Sequence, residues 1–159
     1  MKSCYKAGLI GTAIAMSFTF LSRVLYFLPF VGISSFYDSL TNVLFIIIYL
    51  VPGFLAAFWL PTPKTIQQGG IEGVKAGLIV GVFDGVFSIL LDGIFSYFNH
   101  QFPYLDLAFD AHAEVYDGLI WIGLAIILGG LGGISYVVIN TNRNKRKIFE
   151  TTATKKGNF

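Results

Sequence analysis

Four long apolar segments, separated by short polar stretches, set the pattern of this chain. They predict membrane-spanning helices over about residues 7–28, 40–60, 71–97 and 115–140, each close to the roughly 20 residues that a bilayer requires. A polar, basic tail follows at residues 141–159, which we expect to be cytoplasmic and mobile. The expected fold class is therefore all-α, a polytopic membrane protein whose spans form a four-transmembrane-helix bundle.

The first apolar segment also resembles a secretory signal peptide, because Lys2 and Lys6 precede an apolar run. No small-residue cleavage site follows at a suitable distance, and the apolar sequence continues beyond Arg23. We therefore expect this segment to be retained as the first span.

The third segment carries a glycine at every fourth position from Gly69 to Gly85. The neighbouring row, from Glu72 to Ser96, consists of small and polar residues apart from Val80. Residues four apart stack on one side of a helix, so the two rows share a face and large apolar side chains cover the opposite face. Such a face allows close helix approach in a bilayer, as in a glycine zipper. The predicted helix-packing residues are Gly73, Gly77, Gly81 and Gly85.

A short sequence similarity links the two halves of the chain. Lys6-Ala-Gly-Leu-Ile recurs as Lys75-Ala-Gly-Leu-Ile, and Leu55-Ala56 recurs as Leu124-Ala125 at the same interval. Duplication and coincidence both account for so short a match in so biased a composition. A duplication would make the protein two hairpin repeats related by an axis along the membrane normal.

Composition excludes an ordinary soluble domain. The 159 residues are 55% hydrophobic and only 13% charged, too few polar residues to cover a soluble surface. The single cysteine, Cys4, cannot form an internal disulfide, so it does not indicate a redox compartment.

The distribution of basic residues predicts the orientation of the spans. Four spans place both termini and the loop near residue 64 on one side of the membrane, and this side holds the basic residues. The other two loops have no lysine or arginine and contain acids instead. We therefore expect a multi-pass protein of the cell membrane with both termini cytoplasmic. The basic residues are Lys2, Lys6, Lys64, Arg143, Lys145, Arg146, Lys147, Lys155 and Lys156.

Two charges of opposite sign are expected at equal depth in the first and third spans. Arg23 follows Lys6 by the same number of residues as Asp92 follows Lys75, which places both about 25 Å above the cytoplasmic boundary. Both belong to the small-residue faces of their helices. The sequence predicts an intramembrane ion pair between Arg23 and Asp92, and the alternative is that Arg23 extends to the outer headgroups.

Asp84 is expected near mid-membrane, about 13 Å above Lys75, with no basic residue at its depth. A lone carboxyl group in hydrocarbon favours its neutral form. One interpretation is a proton or ion site formed by Asp84 and Ser88, below Asp92 and near Thr12, Ser17 or Tyr49. The other is a structural hydrogen bond from a protonated Asp84 to another helix or subunit.

The loop at residues 98–114 is acidic and aromatic. Asp110, His112 and Glu114 are its candidate metal ligands, but they match no established metal-binding spacing. We expect no metal here, and we interpret the segment as a solvated loop or a short amphipathic helix on the membrane surface.

The chain contains no recognisable catalytic or cofactor motif. We therefore expect no enzymatic activity, no cofactor and no nucleic-acid partner. The stretch Pro52-Gly-Phe-Leu-Ala-Ala, followed by Gly69-Gly-Ile-Glu-Gly-Val-Lys-Ala-Gly-Leu-Ile-Val-Gly, resembles a group of small four-span prokaryotic membrane proteins of unassigned function. The resemblance covers the second and third spans, and it implies a fold without implying an activity.

Two functional interpretations follow from these patterns, besides a third in which a membrane enzyme or metal-binding protein uses the acids of the 98–114 loop and His112. In the first, a non-catalytic membrane protein packs through its small-residue helix faces, with itself or with other subunits, as a structural or accessory component of an assembly in the lipid bilayer. In the second, a small proton- or cation-handling channel or transporter is centred on Asp84. Uncovered glycine faces would favour the first, and a cavity reaching Asp84 would favour the second.

Overall fold

The computed structural model describes residues 3–26, 35–61, 65–101 and 111–156. These residues form four helices: α1 (Ser3–Tyr26), α2 (Ser35–Phe58), α3 (Ile66–Gln101) and α4 (Ala111–Lys156). This part of the chain contains no strand, and each helix is long and apolar enough to cross a membrane. The all-helical, four-helix fold class is confirmed.

The bundle is built from two antiparallel hairpins that lie side by side. In the first, Gly11 of α1 faces Pro52 of α2; in the second, α3 and α4 face each other from the Gly69–Gly133 contact to the Gly85–Gly118 contact. Helix α1 neighbours α3, and α2 neighbours α4. Helices α2 and α3 also touch across the bundle, whereas α1 and α4 do not approach each other within the described residues.

This arrangement does not have the two-fold relation that the repeat hypothesis implied. A two-fold axis exchanging the hairpins would make the α1–α4 contact equivalent to the α2–α3 contact. Only the second of these contacts occurs among the described residues. The second hairpin is therefore placed beside the first in the same sense, with corresponding helices as neighbours.

Helix α3 starts earlier than the apolar pattern indicated, because a capping box fixes its first turn. The Gln68 amide donates to Thr65 Oγ1 at 3.1 Å, and the Thr65 amide donates to Gln68 Oε1 at 3.2 Å. This reciprocal pair satisfies amide groups that the first turn of a helix otherwise leaves without partners.

Both ends of the loop expected at residues 98–114 are helical, since α3 continues to Gln101 and α4 begins at Ala111; residues 102–110 lie outside the described residues. Helix α4 also continues without interruption from the apolar span through the basic segment to Lys156. Residues 141–156 of the basic tail are thus helical, and the expected mobility of the tail stays a prediction.

The glycine row of α3 packs directly on the backbone of α4. A Cβ atom added at Gly73 would meet the Gly129 carbonyl oxygen, and one added at Gly77 would meet the Ala125 carbonyl oxygen. Bulky side chains such as Leu90 are exposed on the outside of the bundle. As expected, the small face of α3 is turned toward protein and much of its large apolar surface toward the position of lipid.

Candidate functional site

The carboxyl group of Asp84 is enclosed by three helices. It is only 3% exposed, and both of its oxygens have a hydroxyl partner from another helix. Thr19 of α1 donates from Oγ1 to Asp84 Oδ1 at 2.9 Å, and Tyr49 of α2 donates from its hydroxyl to Oδ2 at 2.5 Å. Asp84 thereby links α1, α2 and α3 near the middle of the bundle.

A cavity of about 230 Å³ adjoins this carboxyl group. All four helices contribute to its wall, α4 through Gly118 and Trp121. The cavity extends from Asp84 toward the end of the bundle where Arg23 lies, and the Arg23 side chain is 42% exposed. The polar side chains that line the cavity are those of Thr19, Ser22, Arg23, Thr41, Asp84 and Ser88.

Three aromatic rings, those of Phe45, Tyr49 and Trp121, also line the cavity. Phe45 lies with its ring centroid 5.9 Å from that of Tyr49 and 5.2 Å from that of Trp121. The Tyr49 and Trp121 centroids are 6.0 Å apart. The buried end of the cavity thus combines one carboxyl group with three mutually packed rings.

The structure brings together Arg23 and Asp92, the two residues that were predicted to pair because they lie at equal depth. Arg23 Nη2 lies 2.7 Å from Asp92 Oδ2, and the Asp92 side chain is 11% exposed. Ser88 Oγ is 3.5 Å from the same Asp92 oxygen. Ser88 therefore lines the cavity together with Asp84, but its hydrogen bond is to Asp92.

The bundle is tightly packed on the other side of Asp84, toward the end that carries Lys6 and Lys75. Val80, one turn below Asp84, is fully buried with Ala15 and Ala125. A second buried cluster of small side chains follows, formed by Ala7, Ala56 and Ala76. The cavity is thus open toward one end of the bundle, and close-packed apolar side chains lie below Asp84.

Of the three neighbours expected for Asp84, the structure places only Tyr49 against it. Ser17 is exposed, and its hydroxyl donates to the Ala13 carbonyl oxygen at 2.7 Å. Thr12 is buried, but its hydroxyl has no hydrogen-bond partner among the described residues.

The partner that sequence reasoning missed is Thr19. It belongs to the same small-residue row of α1 as Gly11, Ala15 and Arg23, so its face was already indicated by a four-residue spacing. Ser17 lies about 200° around the helix from Ala15, so helical periodicity alone argues against Ser17 as a neighbour of Asp84. Trp121 had no signal in the sequence, because its place in the wall of the same cavity depends on how α4 packs.

The candidate metal ligands are not brought together by any described contact. Asp110 lies outside the described residues. His112 and Glu114 belong to the first turn of α4, but the structure describes only their backbone. Among the side chains that the structure does describe, no cluster of three metal-binding groups occurs.

In comparisons with protein-family models, curated proteins and solved structures, nothing matches this chain. The resemblance of the second and third spans to small four-span prokaryotic proteins therefore stays a prediction. The geometry around Asp84 is the basis for assigning a role.

Proposed function

We propose that this protein is a small membrane transporter that binds a cation at Asp84 in exchange for a proton. The observation that carries the proposal is a buried carboxyl group at the end of a cavity within the membrane-spanning part of the bundle. Ionisable groups at such depth are costly, and where they persist they commonly serve ion or proton transfer.

The charges around the cavity favour a cation as the ligand. The described ion pairs join Arg23 to Asp92 and Lys75 to Glu72, and neither involves Asp84. The positive charge of Arg23 is thus balanced by Asp92. Ionisation of Asp84 leaves one negative charge for which this part of the structure holds no counter-ion, and a bound cation would supply it.

The packing below Asp84 favours a carrier over an open pore. Val80, Ala76 and Ala7 are fully buried between the cavity and the basic end of the bundle. A dry interior of this kind blocks ions, so transport requires a second arrangement in which Asp84 faces the other side. We assign this structure to the state that is open at the Arg23 end.

The same proposal includes the location of the protein. With both termini cytoplasmic in the cell membrane, as the basic residues predict, the cavity opens toward the outside. It involves no catalytic step.

The interpretation as a structural or accessory subunit has less support from the packing. Glycine faces left uncovered in a single chain would favour it, but α4 covers the glycine row of α3 from Gly69 to Gly85. Self-association and contacts with other membrane subunits remain predictions.

The test is cation-driven proton movement in proteoliposomes that enclose a pH-sensitive dye. A gradient of a monovalent cation should change the internal pH when the wild-type protein is present. Asp84→Asn, which keeps the shape of the side chain but cannot exchange a proton, should reduce the rate at least tenfold.

The matched control is Glu72→Gln. Glu72 is a carboxylate in the same four-residue row of α3, but it pairs with Lys75 at 2.6 Å near the other end of the helix. This variant should retain the wild-type rate. Equal rates for wild type and Asp84→Asn, or equal losses in both variants, would contradict the proposal.

A further inference from the structure

The wall of the cavity indicates which kind of cation it accepts. Phe45, Tyr49 and Trp121 pack against one another in the cavity wall, and the Tyr49 hydroxyl donates to the Asp84 carboxyl group in the same wall. Aromatic faces attract cations that carry a diffuse charge and an apolar surface, and a carboxylate adds a full negative charge. This pair of features is typical of sites for ammonium groups.

Small metal cations are less well suited to the same site. They require several oxygen ligands that replace their water shell. The hydroxyls of Thr19 and Tyr49, which adjoin the two Asp84 oxygens, are both engaged as donors to them. Asp84 is the one carboxylate among the described residues that line the cavity, and the remaining side-chain oxygens there are the uncharged hydroxyls of Ser22, Thr41 and Ser88.

Resting on the function proposed above, we infer that the ligand is a small organic monocation, an alkylammonium or quaternary ammonium compound. Its positive centre lies beside the Asp84 carboxylate, and its alkyl groups contact Phe45 and Trp121. The volume of about 230 Å³ admits one small ligand of this kind.

The exchange balances with one proton. The protonated carboxyl group of Asp84 loses H⁺ to water, the resulting carboxylate receives one ammonium ion, and the charge within the site does not change. Binding should therefore release close to one proton per ligand at a pH where Asp84 is protonated in the empty protein.

Trp121 provides a natural reporter for this site. The chain has two tryptophans, and Trp59 lies at the other end of the bundle, with Lys6 Nζ 5.9 Å from its ring centroid. In a Trp59→Phe variant purified in mild detergent, the emission comes from Trp121 alone. Titration with tetramethylammonium or choline should give a saturable change in emission, together with proton release.

Four further titrations separate the ammonium inference from the proposed function. The neutral carbon isostere of choline, 3,3-dimethylbutan-1-ol, should leave the emission unchanged, and so should NaCl and KCl at equal ionic strength. A titration with acid in the absence of organic cations should alter the emission as Asp84 takes up its proton.

Two substitutions in the Trp59→Phe background locate the binding determinants. Asp84→Asn should abolish both the ammonium response and the acid response. Phe45→Leu should weaken ammonium binding about tenfold through loss of one aromatic face, while the acid response keeps its midpoint.

The remaining outcomes are distinct. Saturable binding of Na⁺ or K⁺ without ammonium binding would overturn the ammonium inference and leave the proposed function in place. An acid response without any cation binding in this titration would have the same consequence. Equal binding of the neutral isostere would also overturn the inference. If the Trp59→Phe protein with Asp84 intact showed neither an ammonium response nor an acid response, the inference and the proposed function would both be overturned. Helical circular dichroism checks that this protein is folded.

Discussion

Helix α3 makes two interfaces of opposite character with its neighbours. Its glycine row meets α4 backbone to backbone, and a methyl group added at Gly73 or Gly77 would collide with main-chain atoms. Its polar row meets α1 through side chains, with Asp84 bonded to Thr19 and Asp92 bonded to Arg23. The first interface is closed by backbone contacts from Gly69 to Gly77, and the second borders the cavity beside Asp84.

The difference follows from which atoms each row provides. Glycines let two helices approach until their backbones touch, and a membrane helix gains packing attraction from that approach. Side chains with polar ends hold the backbones apart and need partners, so the space between them is shaped by hydrogen bonds and ion pairs. The backbone contacts with α4 keep α3 in place, and the polar side chains between α1 and α3 border the space for a ligand beside Asp84.

The largest expected effect concerns the interface between α3 and α4. Gly77→Ala places a methyl group against the Ala125 carbonyl oxygen, which cannot rotate away, and should lower the free energy of unfolding by about 2–3 kcal/mol. Gly93→Ala is the matched control in the same row, because a Cβ atom there meets no atom within 4 Å. It should leave stability unchanged or raise it by about 0.5–1 kcal/mol.

Both glycine variants are compared with wild type by following helical circular dichroism during unfolding in SDS, starting from mild detergent micelles. If Gly77→Ala and Gly93→Ala proved equally stable, the backbone contact with α4 would not determine the packing of α3.

A smaller effect is expected at the ion pair between α1 and α3. Arg23→Asp places two carboxylates together, and Asp92→Arg places two guanidinium groups together, so each substitution should be destabilising. The double exchange restores opposite charges and should recover about 1–2 kcal/mol, a modest value because the Arg23 side chain is 42% exposed.

A double-mutant cycle in the same unfolding assay measures this coupling energy. If the double exchange were as damaging as the two single substitutions combined, Arg23 and Asp92 would be stabilised by other groups and not by each other.

The smallest effect distinguishes two threonines of α1. Thr19→Val removes the donor to Asp84 and should cost about 1 kcal/mol, whereas Thr12→Val removes a buried hydroxyl without a described partner and should add about 1 kcal/mol. The two substitutions are the same chemical change on the same helix. A stability change of the same sign in both would show that hydroxyl pairing does not distinguish the two positions.

Several features of the fold were predictable from the sequence because they depend on periodicity and on the cost of charge in lipid. Helix class, the number of spans and the burial of Gly73 follow from residue spacing alone. The closeness of Arg23 and Asp92 follows from counting residues along two parallel helices. The early start of α3 was also readable, because Thr65 and Gln68 have the spacing of a capping box.

Only the tertiary structure decided which residues of different helices contact each other. Spacing along one helix defines its faces, but it does not say which helix covers each face or how far one helix is shifted along another. The choice of Thr19 over Thr12 for Asp84, the approach of Trp121 and the cavity itself depend on those relations. The sequence alone therefore determined a membrane bundle with buried charges, and the packing of four helices placed one of those charges beside a space for a ligand.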